Sequence, residues 1–341
     1  MREILRSPKR DNFNADRAEE VGQRASLGSR LLSALLECAD MSALLKRSGN
    51  CRIAATPNLS RLPPNARYSA RSNRKTRHDR ATSRANARDL MKYDWKDAGE
   101  EWSAPWGTSE AQWFGAILPR IGDCLPTETI LEIAPGFGRW TYYLKDYCKE
   151  LWAVDRVEKC IEACRRRFAD DPHVHCHLND GRSLSMISDA SIDFVFSFDS
   201  FVHTNRDVAE AYLSEFCRKL KIGGKGFIHH SNFGEYANSL RERLPPALTK
   251  LLIKAEILDW AHHRNPSMSA DLFRALCAQH GLHCLSQELV NWRGRRLIDC
   301  FSLFVRSDST QQKSTKIIRN PNFMREAALI CAKSQISKGI T

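Results

Sequence analysis

The 341-residue chain has no apolar run approaching the roughly 20 residues of a membrane-spanning helix, and no segment with the pattern of a secretory signal. Its twelve cysteines include no CxxC pair. That absence removes the commonest zinc and dithiol signatures and leaves reduced thiols of a cytoplasmic protein as the expectation. The densest group of metal-ligating residue types is "HVHCH" at 173–177. It alternates along one predicted strand, with His173, His175 and His177 on one face and Cys176 on the other. No second such cluster stands beside it, and no metal site is assigned there. Acids are scarce where bases abound: residues 1–90 hold 19 Lys+Arg against 9 Asp+Glu, while the remainder holds 33 against 31. The stretch 61–89 also has few large apolar side chains. Residues 1–90 therefore read as a basic, disordered extension. Glu3, Asp11, Asp16, Glu19 and Glu20 argue against a transit peptide, whose composition is poor in acids.

From residue 91 the pattern is that of a folded domain, predicted to extend to 307, with 308–341 as a basic, loosely held C-terminal tail. Thr108 or Ser109 is placed to cap a helix running to about Ile121. Short apolar strands then alternate with helices. Strands are expected at 129–134, 150–155, 174–179, 192–198 and 226–231; helices at 139–148, 157–169 and 206–220. Such alternation predicts a parallel sheet covered by helices on both faces. After a helix at 269–281, strands at 282–292 and 296–307 flank the short turn "RGR" and predict an antiparallel hairpin.

The chemistry concentrates in "ILEIAPGFGRWTYYL" (130–144). Gly136 and Gly138 permit a sharp turn and a close backbone approach to a ligand. A dinucleotide fingerprint would continue to a third small residue, where this chain has Thr141, so a pyrophosphate-binding turn is a weak match. Asp155 ends the next strand, 17 residues after Gly138, where a carboxylate accepts well from a ribose diol. Asp180, followed by Gly181, ends the third strand, and Glu132 lies near the end of the first. Acids on the carboxyl edge of successive strands suit a cationic nucleoside cofactor better than a pyrophosphate.

The order of these features resembles the class I S-adenosylmethionine-dependent methyltransferases. "EIAPGFG" is similar to their first motif, and Asp155, "NDGRSL", "IDFVFSFDSFVH" and "LKIGGKGFIHH" are similar to the later ones in sequence. The resemblance spans roughly residues 110–306. It implies a Rossmann-like α/β fold, with a mostly parallel sheet, a C-terminal antiparallel hairpin and helices on both faces. It also implies S-adenosyl-L-methionine as cofactor. Cofactor contacts are implied at Glu132, Pro135, Gly136, Phe137, Gly138, Asp155, Arg156, Asp180 and Gly181, with Phe198 and Asp199 near the methionine end.

A base for a protonated acceptor is expected past strands four and five, which nominates His203, His229 and His230. Adjacent strand residues point to opposite faces, so only one of the last two can face a given pocket. The stretch "FDSF" replaces the Asn/Asp-Pro-Pro-Tyr type of motif found in enzymes acting on nucleic-acid amines. The expected acceptor is therefore a small molecule, a sugar or secondary metabolite, methylated on oxygen. Segment 233–266 is the expected substrate lid. The alternative is an RNA or protein acceptor recruited by residues 1–90.

Overall fold

The computed structural model describes residues 95, 97–236, 264–292, 294–308 and 314–339. The basic extension 1–90 and most of the expected lid (237–263) lie outside these residues. Eight strands form one sheet: β1 (Thr127–Ile133), β2 (Cys148–Asp155), β3 (Val174–Leu178), β4 (Ile192–Phe201), β5 (Leu220–Ser231), β6 (Leu282–Val290), β7 (Asp299–Arg306) and β8 (Lys316–Asn320). Their spatial order is β3-β2-β1-β4-β5-β7-β6-β8. The first five are parallel neighbours; β7 is antiparallel to both β5 and β6, and β8 is parallel to β6. This is the anticipated Rossmann-like sheet with its antiparallel end.

Alternation along β1 explains why both faces need cover. Ile130 packs with Trp113, Phe194 and Phe227 on one face, while Leu131 and Ile133 pack with Val195, Phe216 and Phe273 on the other. Helices α4 (Glu158–Arg167), α5 (Arg206–Lys219) and α6 (Ala270–Gln279) follow β2, β4 and the undescribed segment. Asn205 caps α5 by accepting from Val208 N–H, and Ser269 caps α6 by accepting from Leu272 N–H. The predicted first helix is one continuous run in three pieces: α1 (Ser109–Gln112), a π-helical turn (Trp113–Ile117) and α2 (Leu118–Ile121), with Thr108 as its cap. The helix expected at 139–148 is shorter. α3 (Thr141–Leu144) passes into one 3-10 turn, because the chain enters β2 at Cys148.

The tail 308–341 departs most from expectation. Within it β8 pairs with β6, and α7 (Phe323–Gly339) buries Phe323 and Ala327. Phe323 meets Trp106, Trp292 and Phe301, and the guanidinium of Arg120 lies 5.2 Å from its ring centroid. The basic composition of the segment concealed one aromatic anchor, whose burial holds it to the domain. Phe323→Ala should therefore destabilise the protein by about 3–5 kcal/mol, as for other buried Phe truncations, measured by denaturant unfolding.

Candidate active site

At the carboxyl ends of β1, β2 and β4 the structure has a cavity. From the β1 turn come Pro135, Gly136, Arg139 and Trp140; from β2, Asp155 and Arg156. From β4 and the loop beyond come Phe198, Asp199, Ser200, His203, Thr204 and Asn205, while Trp95 and Trp102 close it from the segment before α1. A sheet whose strand order reverses at β1 and β4 leaves a crevice at this edge, because connections leave those two strands in opposite directions.

Gly136 and Gly138 both have positive φ, 60° and 82°, so both need glycine for the backbone itself. Their surroundings differ. A Cβ on Gly136 would fall 2.7 Å from the ring of Trp95, on the cavity side. A Cβ on Gly138 would fall 2.5 Å from the ring of Phe168, within the packed interior. The Asp155 carboxylate accepts from Gly136 N–H at 3.4 Å and from Val157 N–H at 2.9 Å, which ties the end of β2 to the turn. Burial raises its pKa to about 6, against the lowering effect of these amides.

Beneath the cavity runs a buried row of charged side chains with His229 at its centre; the Asp199 N–H donates to His229 Nδ1 at 3.3 Å. Arg139 donates to Asp199 at 2.7 Å and to Ser103 Oγ at 3.0 Å. The other Asp199 oxygen lies 3.2 Å from His229 Nδ1. His229 Nε2 lies 3.3 Å from Asp299, a charge contact rather than an aligned hydrogen bond. Asp299 accepts from Arg264 at both oxygens, at 2.9 and 2.6 Å. Burial opposes every one of these charges. His229 and Arg139 nevertheless hold Asp199 at a pKa of about 2, and Arg264 and His229 keep Asp299 well below the carboxylate range. Burial likewise works against protonating His229, but its two carboxylate neighbours raise it.

Residues 130–224 match the model of a methyltransferase domain family. The chain thus carries a methyltransferase domain. Its fold is also similar to solved structures. A Pyrococcus horikoshii protein, PH0226, is 20% identical over 55% of this chain and 87% of its own, with a TM-score of 0.42. The N-methyltransferase NodS of Bradyrhizobium japonicum is 14% identical over 57% and 94%, with a TM-score of 0.42. No curated protein matches the chain in sequence.

In this methyltransferase the cavity gathers Pro135, Gly136, Asp155, Arg156, Phe198 and Asp199 from the expected cofactor set. The other five stand outside its wall. Glu132 is buried and accepts from Thr141 Oγ1 at 2.6 Å, so the two departures from a dinucleotide turn satisfy each other. Phe137 stacks on Trp95 with ring centroids 4.8 Å apart, and Gly138 is held against Phe168. Asp180 is exposed and accepts from Arg182 and Ser183 N–H groups, which hold its pKa low. Gly181 is buried under the Arg156 side chain. The expectation of an acid-lined pocket is corrected too: Arg139 and Arg156 stand against Asp155 and Asp199.

Of the three candidate bases, only His203 lines the cavity. His229 belongs to the buried charge chain. His230, on the opposite face of the sheet, stacks on Phe273 and bonds Ser302 Oγ and the Ser231 carbonyl; burial lowers its pKa to about 4. Both are fully buried. Sequence reasoning passed over Arg139, Trp95 and Trp102. Arg139 lay inside the quoted motif, but only the fold reveals that it faces Asp199, 60 residues on.

Burial raises the Glu132 pKa from near 4.5 to about 8, so the folded protein holds this proton more tightly than the unfolded chain. The associated stability is complete below pH 4.5 and is lost as pH rises to about 8. Glu132→Gln, which mimics the neutral acid, should flatten the pH dependence of unfolding free energy across that window.

Proposed function

We propose that the cavity holds S-adenosylmethionine and that the enzyme O-methylates a small hydroxyl-bearing acceptor, a sugar or secondary metabolite, with His203 as general base. The observation that carries this reading is that His203 lines the same cavity as Gly136 and Asp155. The residues present suit such a cofactor. Asp155 accepts two backbone amides and keeps lone pairs for a ribose diol. At the other end, Arg139 matches an α-carboxylate and Asp199 an ammonium, so a guanidinium–carboxylate pair faces an amino-acid moiety. The Trp95, Trp102, Trp140 and Phe198 rings supply apolar walls, as small-molecule sites generally have.

When bound, the cofactor supplies an electrophilic methyl group on a sulfonium. The protein then has to position the acceptor, exclude water and remove a proton. Asp199 is a poor base near neutrality, because its charge partners hold it at about 2 despite burial. His203 brings an imidazole, the side chain most often used as general base, to the cavity wall. Ser200, Thr204 and Asn205 border the same stretch of cavity and supply polar handles for a hydroxylated acceptor. The alternative of an RNA or protein acceptor rests on residues 1–90, and no observed feature of the cavity favours it.

Asp155→Ala should weaken S-adenosylmethionine binding about 10- to 100-fold, the worth of hydrogen bonds to a charged group. Isothermal titration checks this. Wild-type affinity should also decline as pH falls through about 6, where Asp155 takes up a proton and loses acceptor capacity. His203→Ala should lower kcat about 10²- to 10⁴-fold, as for other general bases, with cofactor affinity little changed. Transfer of labelled methyl groups to a panel of hydroxylated sugars and metabolites measures it. Full activity in His203→Ala would overturn the assignment of the base.

A further inference from the structure

Strands β4 and β5 fall out of register at the cavity. Ser197 pairs with Ile228 and Phe201 with His230, so three β4 residues, Phe198, Asp199 and Ser200, stand opposite a single β5 residue, His229. Surplus residues in a bulge lose their ladder partners and aim their side chains anew. Asp199 is the middle one of the three, and its φ of 65° lies in the left-handed region, which is strained for a residue that carries a Cβ. Among the described residues four non-glycine positions have such a φ, and two of them, Ala134 and Asp199, line the cavity. Strain of this kind persists only where the surroundings fix it in place.

His229 supplies that fixing contact. The Asp199 N–H meets the His229 side chain rather than a carbonyl of β5, donating to Nδ1 at 3.3 Å. The imidazole cannot turn away. It is fully buried, with the rings of Phe198, Phe301 and Trp292 centred 4.6, 4.8 and 5.6 Å from its own. An Nδ1 that accepts leaves the ring proton on Nε2, the side on which Asp299 lies 3.3 Å away. The consequence falls on the Asp199 carboxylate. One oxygen accepts from Arg139 at 2.7 Å. The other is 3.2 Å from Nδ1, and an Nδ1 engaged with the backbone N–H makes no claim on its lone pairs. That second oxygen remains an acceptor for a cation in the cavity.

We propose that His229 is a positioning residue: by accepting the Asp199 N–H it holds Asp199 in the left-handed bulge and presents the second carboxylate oxygen to the ammonium of the cofactor's amino-acid moiety. This role rests on the reading of the cavity as the S-adenosylmethionine site. His229 is not part of the cavity wall and acts through Asp199, which is. A side chain with no acceptor at this place leaves a buried N–H unsatisfied. The bulge then relaxes toward an unstrained φ, and the carboxylate turns away from the ammonium. Asn carries a side-chain oxygen near the place of Nδ1 and restores the acceptor. Leu, of similar bulk, does not.

Two ligands separate positioning from general support of the fold: S-adenosylmethionine, and methylthioadenosine, which keeps the nucleoside and lacks the amino acid. Both are titrated calorimetrically into the full chain. His229→Leu should weaken S-adenosylmethionine binding about 10- to 100-fold, the worth of a hydrogen bond to a charged group, and leave methylthioadenosine binding as it was. His229→Asn should recover most of the loss. Equal losses for the two ligands in His229→Leu would overturn the role, and so would an Asn variant that binds no better than Leu. Nitrogen NMR of the wild type needs no variant to fold. It should find His229 Nδ1 with the shift of an unprotonated ring nitrogen at the pH of the titrations, and a protonated Nδ1 would overturn the proposal. Wild-type protein that binds neither ligand, with Nδ1 unprotonated, would instead overturn the functional reading.

Discussion

The buried run Arg139–Asp199–His229–Asp299–Arg264 is the interaction on which the rest of the site depends. Each of these ions alone would cost several kcal/mol to bury. Arg139 meets Asp199 at 2.7 Å and Arg264 meets Asp299 at 2.6 Å, with the His229 ring 3.2 and 3.3 Å from the two carboxylates. The run connects the turn after β1, the ends of β4 and β5, the start of β7 and the residue that leads back from the undescribed segment. Removing any inner member leaves buried carboxylates or cations uncompensated, which is far costlier than losing one surface ion pair. The cavity floor is therefore fixed by electrostatics as much as by packing.

The turn itself divides two duties between its glycines. Gly136 lies at the cavity under Trp95, so its missing side chain leaves room for an aromatic wall. Gly138 faces inward on Phe168, so its missing side chain serves the interior. A buried Glu132–Thr141 hydrogen bond closes the same loop from below. The sequence GxGxxT thus replaces a phosphate-facing helix start with a neutral, internally satisfied one. That arrangement agrees with a cofactor recognised through a diol and an amino acid rather than a pyrophosphate.

Much of this was legible in the residues. Alternating apolar strands and helices, Thr108 as a cap, the hairpin, and Asp155 at a strand end all follow from local pattern, because side-chain period and capping chemistry are local properties. The tail was misread because one buried aromatic, Phe323, outweighs a basic composition that a window average records. A turn aspartate such as Asp180 has two uses, capping and ligand contact, and only the fold shows that it accepts from the Arg182 and Ser183 N–H groups and stands outside the cavity wall.

The sequence by itself determined the sheet, its carboxyl edge and the methyltransferase domain, since these depend on periodicity and on motif order. The tertiary structure decided which charges are paired and which histidine borders the cavity. Arg139 neutralises Asp199, His229 is enclosed between two aspartates, and His230 is buried on the far face. His203 is left as the histidine that lines the cavity. Such pairings join residues 30 to 70 positions apart, and no local pattern carries them: a charge's availability depends on its partner across the fold, not on its neighbours in the chain.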